Sequence, residues 1–281
     1  MTAERSKKNE VLSAETISDI AQTFVRTRLA AGSLDDYPGL VPTDLATAYL
    51  IQDHAIELWP ESIGGWKVGR IPPAVEDQFG CDRLAGPIFA DTILHWDGSS
   101  TPAMPVFADG GAAVEAEFVA VIRDDAPDDK IDWSREESEA MIEELRIGLE
   151  IASSPLVDIN GRGPAVVASD FGNNLGLIVG PAIPGWPDRD VNTLTSATYI
   201  DDVLVGEGGA YGLTGGVTRS VQFLLSLAAQ RGLPLRAGDV IATGQTTGIH
   251  DVLPGQLVRM PFGADGSDGE LTCTIVAAGP R

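Results

Sequence analysis

Apolar and polar residues alternate along several segments of the chain, a pattern typical of β-strands. The longest segment, residues 112–122, holds two glutamates within a run of small, β-branched and aromatic residues. Residues 146–152 alternate in a similar way, and residues 198–205 predict a hairpin that turns at Asp201 and Asp202. Further strands are predicted at residues 175–179, 240–243, 257–261 and 271–277. The chain is therefore rich in short strands.

Helical spacing of apolar residues marks four other segments. Ser13 is a predicted N-cap of a first helix, and a second helix is predicted at residues 43–59. Ser134, followed three residues later by a glutamate, has the capping-box spacing that begins a third helix. A strongly apolar helix is predicted at residues 217–230, with Gly232 as its stop. Because strands and helices do not alternate regularly, we predict an α+β, mostly β fold with flanking helices.

Two glutamates, Glu115 and Glu117, stand one residue apart in the strand predicted at residues 112–122. Strand side chains alternate between faces, so both carboxylates point the same way, about 7 Å apart at the backbone. Val119 shares their face, which is therefore unlike a plain solvent-facing surface. Two buried like charges are costly unless a cation or a shared proton offsets the cost. Glu150 is a third isolated glutamate, opposite the apolar face of its own predicted strand.

Three carboxylates on two strands predict a site for a hard divalent cation. Mg²⁺ and Mn²⁺ favour a few carboxylates together with water and substrate oxygens, so such a site leaves positions where a substrate can bind. The alternative is that the three glutamates face solvent on half-exposed strands, which is also a common pattern. Spacing alone leaves both interpretations open.

Lys67 is the candidate for a catalytic cation. It lies between Gly65 and Gly69 on its own strand face, whereas the other lysines belong to the N-terminal tail or an acidic loop. The flanking glycines predict open space around the amine, which suits a ligand carboxylate or a proton transfer. The alternative is a surface lysine with an exposed ammonium group.

The acidic composition narrows the classes of function. A formal net charge of -22 argues against nucleic-acid binding and requires that a site for an anion carry local positive charge. No stretch of about 18 apolar residues is present, and the N-terminus lacks a signal-peptide apolar region. Cys81 and Cys273 give neither a disulfide framework nor zinc spacing. We therefore predict a cytoplasmic enzyme without membrane or nucleic-acid partners.

Several weaker signals accompany these. Residues 206–212 resemble a dinucleotide-binding fingerprint but lack its final glycine, so a glycine-rich bend is predicted there. The histidines show no metal-ligand spacing, and there is no Gly-x-Ser-x-Gly nucleophile elbow. Residues 242–248, which include Thr246, offer hydroxyls and flexible backbone after a strand. They suit a loop that binds a substrate carboxylate, and equally an ordinary turn.

Together these segments resemble the fumarylacetoacetate hydrolase superfamily, and most closely its 2-oxopent-4-enoate hydratase branch. The resemblance extends from about Ala48 to Val276. It is carried, in chain order, by Ala48-Tyr49 with Gln52, Gly65-Trp66-Lys67-Val68-Gly69, Glu115-Ala116-Glu117, Gly148-Leu149-Glu150-Ile151, Ala168-Ser169-Asp170, Gly206-Glu207-Gly208, the helix at 217–232, and Ala237-Gly238-Asp239-Val240-Ile241-Ala242-Thr243-Gly244.

The resemblance implies a fold, a cofactor and roles for single residues. It implies a mixed β-roll core, here residues 62–281, with helices such as those of an N-terminal segment at 13–61 packed on it, and a homo-oligomer. The polar residues 1–12 are separately predicted to form a disordered tail. It implies that Mg²⁺ or Mn²⁺ is held by Glu115, Glu117 and Glu150, and that Lys67 is catalytic. We also expect Asp170 and Thr246 at the substrate site.

The chain departs from the hydratase pattern at two places. Hydratases carry a Pro-Asp-aromatic-Gly stretch whose acid assists proton transfer, and the matching residues here are Asp82-Arg83-Leu84-Ala85-Gly86. They also carry Asp-Ser-Arg after the third glutamate, where this chain has Ser153-Ser154-Pro155. The metal ligands are retained, but these two stretches are not.

The leading hypothesis is a metal-dependent hydratase acting on a small 2-hydroxy-dienoic or 2-oxo-enoic acid through a metal-stabilised enolate, as in aromatic meta-cleavage catabolism. The alternatives are a 2-oxo-acid decarboxylase or an acylpyruvate-type C–C hydrolase on the same scaffold. A non-catalytic, metal-stabilised binding protein is the third alternative.

Overall fold

Thirteen strands and six α-helices form the part of the chain described by the computed structural model, residues 12–281. The predicted tail, residues 1–12, lies outside this range except for Leu12. The helices are α1 (Ala14–Leu29), α2 (Leu45–Leu58), α3 (Glu76–Phe79), α4 (Arg135–Ala140), α5 (Pro164–Ser169) and α6 (Gly216–Gln230). The strands are β1 (Ile63–Arg70), β2 (Arg83–Phe89), β3 (Ile93–His95), β4 (Ala103–Val106), β5 (Gly111–Ile122), β6 (Ile142–Ser154), β7 (Asn174–Ala182), β8 (Thr195–Ile200), β9 (Val203–Gly209), β10 (Val240–Gln245), β11 (His250–Asp251), β12 (Leu257–Phe262) and β13 (Gly269–Ala277).

The larger sheet has the strand order β2-β1-β10-β5-β6-β7-β3, and β11 pairs with β5. The β1–β10 and β3–β7 pairs are parallel, whereas β5, β6 and β7 form an antiparallel meander. The smaller sheet has the order β4-β13-β12-β8-β9 and is antiparallel except at β4–β13. This mixed, curled arrangement confirms the α+β, mostly β prediction.

The two sheets enclose the main core. Alternate residues of β5 face it, and the Phe118 ring packs edge-on against Phe262 of the smaller sheet, with 5.7 Å between ring centroids. The opposite face of β5 carries Glu115, Glu117 and Val119, all of them buried. The period of two in the sequence therefore separates an apolar face from a face that carries the acidic groups.

The two long N-terminal helices begin as their sequence predicts. The Ser13 side chain caps α1 by accepting from the Thr16 amide, and Asp44 caps α2 in the same way. Side chains of α1, among them Phe24, join an apolar cluster with residues of α2 and β2. No helix within residues 12–281 is both long and apolar enough to cross a membrane.

The predicted hairpin is confirmed, whereas the glycine-rich bend predicted at residues 206–212 is confined to a short 3-10 turn at Ala210–Gly212. Asp201 and Asp202 take the left-handed φ values of 49° and 64° that a tight hairpin turn requires. The following residues continue as β9, up to Gly209. Gly208 has a close-packing role, because a Cβ there would lie 1.8 Å from the Thr246 carbonyl oxygen.

Candidate metal and active site

Strand register brings the three predicted glutamates together. Glu115 of β5 pairs directly with Glu150 of β6, and Glu117 lies one pleat further along, opposite Gly148. One carboxylate oxygen from each of the three glutamates lies within 4.8 Å of the others, and all three side chains are buried. The solvent-facing alternative is therefore wrong.

Two of the glutamates use one carboxylate oxygen each and leave the other free of hydrogen bonds. Glu117 Oε2 accepts from the Gly244 amide at 2.8 Å, and Glu150 Oε1 accepts from Asn174 Nδ2 at 2.9 Å. The other oxygens, Glu117 Oε1 and Glu150 Oε2, are buried and have no hydrogen-bond partner in the described part of the chain. Buried polar atoms are nearly always paired, so two unpaired carboxylate oxygens in one cluster indicate a ligand.

Lys67 of β1 reaches the same cluster. Its Nζ lies 3.0 Å from Glu150 Oε1 and 3.8 Å from Glu115 Oε1, and the side chain is 6% exposed. The surface-lysine alternative is therefore wrong. The two flanking glycines differ in their surroundings. A Cβ at Gly65 would lie 2.4 Å from the Val240 carbonyl oxygen, so close packing requires glycine there, whereas a Cβ at Gly69 would meet only ordinary contacts.

Burial and mutual repulsion shift the pKa values of this cluster. Burial raises the pKa of Glu115 to about 7; Lys67 opposes that rise and Glu150 adds to it. Burial also raises the pKa of Glu117 well above its usual value, reinforced by Glu150 and Glu115. Burial alone would lower the pKa of Lys67, but the three glutamates outweigh it and raise that pKa. The ammonium form of Lys67 is therefore strongly favoured.

A cavity of about 380 Å³ opens from this cluster toward solvent. Lys67 and Glu115 lie in its wall, as do Arg70 and Arg83. The rest of the wall is formed by Val68, Gly69, Pro72, Leu84, Asn160, Gly163, Pro164, Val167, Gly212, Leu213, Thr214, Thr243, Gly244, Gln245 and Ile249. The cavity wall thus places three cationic side chains where an anionic ligand could enter a chain of this acidity.

The donor set fits a hard divalent cation. When ionised, the three carboxylates outnumber the single ammonium group and carry an excess of buried negative charge, which a bound cation would neutralise. The two unpaired oxygens and Glu115, which borders the cavity, are oxygen ligands of the kind that Mg²⁺ and Mn²⁺ prefer. The residues present therefore match the implied metal in charge and in chemistry.

Asp170 and Thr246, which we expect at the substrate site, both form hydrogen bonds within the protein, and their substrate role stays a prediction. Asp170 forms a buried ion pair with Arg28 of α1, with Arg28 Nε 2.6 Å from Asp170 Oδ1, and it also accepts from the Ser154 hydroxyl. Thr246 Oγ1 donates to the Ala116 carbonyl oxygen at 2.8 Å. Both side chains are thus engaged with the protein, outside the set that forms the cavity wall.

The first departure from the hydratase pattern lies directly in the cavity wall. Arg83 and Leu84 border the cavity where the resemblance implies an acid. The Arg83 guanidinium is itself held by the Asp82 carboxylate and the Thr214 carbonyl oxygen. A fixed cation and an apolar side chain therefore replace a proton-transferring group.

Asn174 and Gly244 contact the glutamate cluster, and the sequence reasoning did not identify either residue. Asn174 begins β7, and Gly244, with φ of 126°, interrupts the β10–β5 register. Their contacts with Glu150 and Glu117 span 24 and 127 residues of sequence. The sequence shows two polar asparagines, residues 173 and 174, before an apolar strand, but it does not show that Asn174 contacts Glu150.

Comparisons with known proteins support this fold. No model of a known protein family matches the chain. Over 221 residues it is 27% identical to the 2-keto-4-pentenoate hydratase of Burkholderia vietnamiensis, covering 77% of this chain and 80% of that protein. It is 31% identical to a 4-oxalocrotonate decarboxylase of a Pseudomonas species over 125 residues, which cover 44% of this chain and 47% of the relative.

Solved structures of the fumarylacetoacetate hydrolase superfamily share the fold. The 4-oxalocrotonate decarboxylase of Pseudomonas putida G7, complexed with magnesium and adipate, has a TM-score of 0.76, with 21% identity over 95% of this chain and all of that one. The fumarylpyruvate hydrolase of Pseudomonas aeruginosa, complexed with Mn²⁺ and pyruvate, has a TM-score of 0.54 and 20% identity over 76% of this chain and 89% of that one. The protein thus shares the fold of these two proteins, and the resemblance predicted from its sequence is confirmed.

Proposed function

We propose that the protein is a divalent-metal-dependent hydratase, a lyase that acts on a small 2-hydroxy-dienoic or 2-oxo-enoic acid. The observation that carries the proposal is the buried cluster of Glu115, Glu117 and Glu150 beside Lys67, at the inner end of a cavity lined by arginines. The sequence relationship to a 2-keto-4-pentenoate hydratase supports it. The relatives are enzymes, which favours catalysis over a purely structural role.

The roles of this chain's residues follow from their charge and position. Glu115, Glu117 and Glu150 would hold Mg²⁺ or Mn²⁺, which when bound supplies electrophilic stabilisation of negative charge developing on a substrate oxygen. The Lys67 ammonium adds a second positive charge at the same place and is positioned to donate a proton. The apolar part of the wall, including Leu84, limits water around the reacting carbons.

The arginines at the cavity wall fit an anionic substrate. Arg83 is almost fully buried, whereas the Arg70 side chain is 49% exposed and lies 3.6 Å from Glu76. Together with Lys67 they offset the repulsion that a protein of net charge -22 exerts on a carboxylate.

Homo-oligomerisation, a cytoplasmic location and a role in aromatic catabolism stay predictions.

Solvent deuterium exchange tests the enolate chemistry directly. Protein freed of metal with a chelator is mixed with several 2-oxo acids in D₂O, with and without MgCl₂, and the C3 proton signals are followed by NMR. We expect exchange that requires Mg²⁺ and is lost in Glu150→Gln. An absence of exchange with every acid would refute the enzyme interpretation and favour the non-catalytic binding protein.

A decarboxylase or a C–C hydrolase is the second candidate function. Its specific support is the Arg83-Leu84 pair in the place of the hydratase acid, together with the fold shared with a 4-oxalocrotonate decarboxylase. Product analysis separates the three reactions on a panel of meta-cleavage products. A hydratase gives a water adduct, a decarboxylase releases CO₂, and a C–C hydrolase gives two smaller acids.

A further inference from the structure

The two oxygens of Glu150 have unequal environments. Glu150 Oε1 accepts a hydrogen bond from Asn174 Nδ2 at 2.9 Å and forms an ion pair with Lys67 Nζ at 3.0 Å. Glu150 Oε2 is buried and has no partner among the described residues. Because both contacts are made by Oε1, the other oxygen, Oε2, is left without a protein partner inside the carboxylate cluster and is available to a ligand.

We propose that Asn174 is a positioning residue that fixes Glu150 so that Oε2 faces the metal ion; this inference rests on the proposed function. The amide is suited to the task because it is neutral and adds no charge that would compete with the cation. Lys67 is less specific, since its ammonium on a flexible stem contacts Glu115 as well as Glu150. Asn174 therefore controls the orientation of Glu150 more narrowly than Lys67 does.

Asn174 is itself held rigidly from the far side. Its side chain is buried, and its backbone pairs with Ala152 in β6. Its carbonyl oxygen accepts from Arg28 Nη1 at 3.0 Å, and the same guanidinium donates to Asp170 and to the Ser153 carbonyl oxygen. The first helix of the chain thus braces Asn174, which in turn orients a metal ligand.

Groups that orient metal ligands commonly change metal affinity by 10–100-fold when they are removed. We therefore expect Asn174→Ala to weaken Mg²⁺ binding by about that factor, measured by isothermal titration calorimetry on chelator-treated protein. Asn174→Leu is the second variant. It removes the hydrogen-bond donor but leaves no cavity, so it can still be tested if Asn174→Ala does not fold.

Asn173→Gly is the matched control. Asn173 is adjacent to Asn174 and equally buried, but its side-chain Nδ2 donates to Asn160 Oδ1. Its backbone φ of 66° is one that glycine adopts readily. We expect the control to keep the wild-type Mg²⁺ affinity, because its side chain does not contact Glu150. A role limited to stability would lower the thermal midpoint without changing the affinity.

The outcomes separate this inference from the proposed function. Wild-type Mg²⁺ affinity in both Asn174→Ala and Asn174→Leu would overturn the positioning role while the metal site stands. Weakening of the same size in Asn173→Gly would also overturn it, because the effect would then be general to this turn. A wild-type protein that binds neither Mg²⁺ nor Mn²⁺ would overturn the proposed function itself.

Discussion

Two clusters of buried charge lie close together in this protein, and they are built differently. The Arg28–Asp170 pair joins one cation to one anion, and both carboxylate oxygens of Asp170 accept hydrogen bonds. The cluster of Glu115, Glu117 and Glu150 has only Lys67 as its cation and retains two buried oxygens without a partner among residues 12–281. The two clusters therefore share the burial of their charged groups, but not their charge balance or their hydrogen bonding.

The difference separates a structural ion pair from a ligand site. A balanced, fully bonded pair is stable as it stands, although it tolerates no loss of one partner. A cluster with excess negative charge and unpaired oxygens is stabilised by an added cation. Charge balance and the pairing of each oxygen therefore distinguish the two roles, and Asp170 lies in the structural cluster.

The largest expected effect is the loss of Arg28. Arg28→Met leaves the Asp170 carboxylate buried and unpaired, which should lower the free energy of unfolding by about 3–5 kcal/mol in urea denaturation. Arg26→Ala, on the exposed side of the same helix, is the control. The double variant Arg28→Met/Asp170→Asn should recover part of the loss. A single variant as stable as the control would contradict the structural role.

The second effect concerns metal affinity. Glu150→Gln removes a predicted ligand, so we expect Mg²⁺ binding to weaken by more than the roughly 100-fold that an outer contact contributes. The metal-free variant should fold normally, because a buried like charge has been removed. Glu143→Gln, exposed on the same strand, should bind Mg²⁺ as wild type. Unchanged calorimetric affinity in Glu150→Gln would show that the third ligand is misplaced.

Lys67 offers a sharper separation of binding from catalysis. Lys67→Met should reduce turnover by about 100-fold, the lower range for a group that transfers a proton. Metal affinity should stay the same or increase, since the variant removes a positive charge beside the ligands. Steady-state kinetics on a 2-oxo acid and calorimetry with Mg²⁺ measure the two effects, and Lys130→Met serves as the surface control. A fully active variant would refute the catalytic role.

The last expected effect is the pH dependence of the stability of the metal-free protein. It is on the order of 1 kcal/mol for each tenfold difference in proton affinity between the folded and unfolded states. Burial raises the pKa of Glu115 from 4.5 to about 7 in the folded state. Between these values the unfolded chain releases a proton that the folded chain retains, so stability falls as pH rises.

The measurement is the difference in unfolding free energy between wild type and Glu115→Gln across this range. As pH rises from 4.5 to about 7, the wild type should lose stability relative to Glu115→Gln, and added Mg²⁺ should remove this trend. A difference that stays constant with pH in the presence of a chelator would contradict the raised pKa.

Local patterns predicted much of the fold and part of the site. The period of two places Glu115 and Glu117 on one face, and the Ser13 and Ser134 caps begin helices as their spacing indicates. These predictions succeed because they depend only on neighbouring residues. The expectation for Asp170 came from a motif position, and its partner Arg28 lies 142 residues away, where local reasoning does not reach.

The order of the amino acids alone establishes that the chain carries three isolated glutamates and one lysine within strands, because strand alternation is a local property. The folded arrangement was needed to show that Glu115 faces Glu150 across the β5–β6 pair and that Asn174 holds one of the Glu150 oxygens. Register and crossovers are set by the packing of the whole chain, since a one-residue slip would send every side chain to the other face. The residue types were thus local information, while the charge imbalance that defines the site arose from the fold.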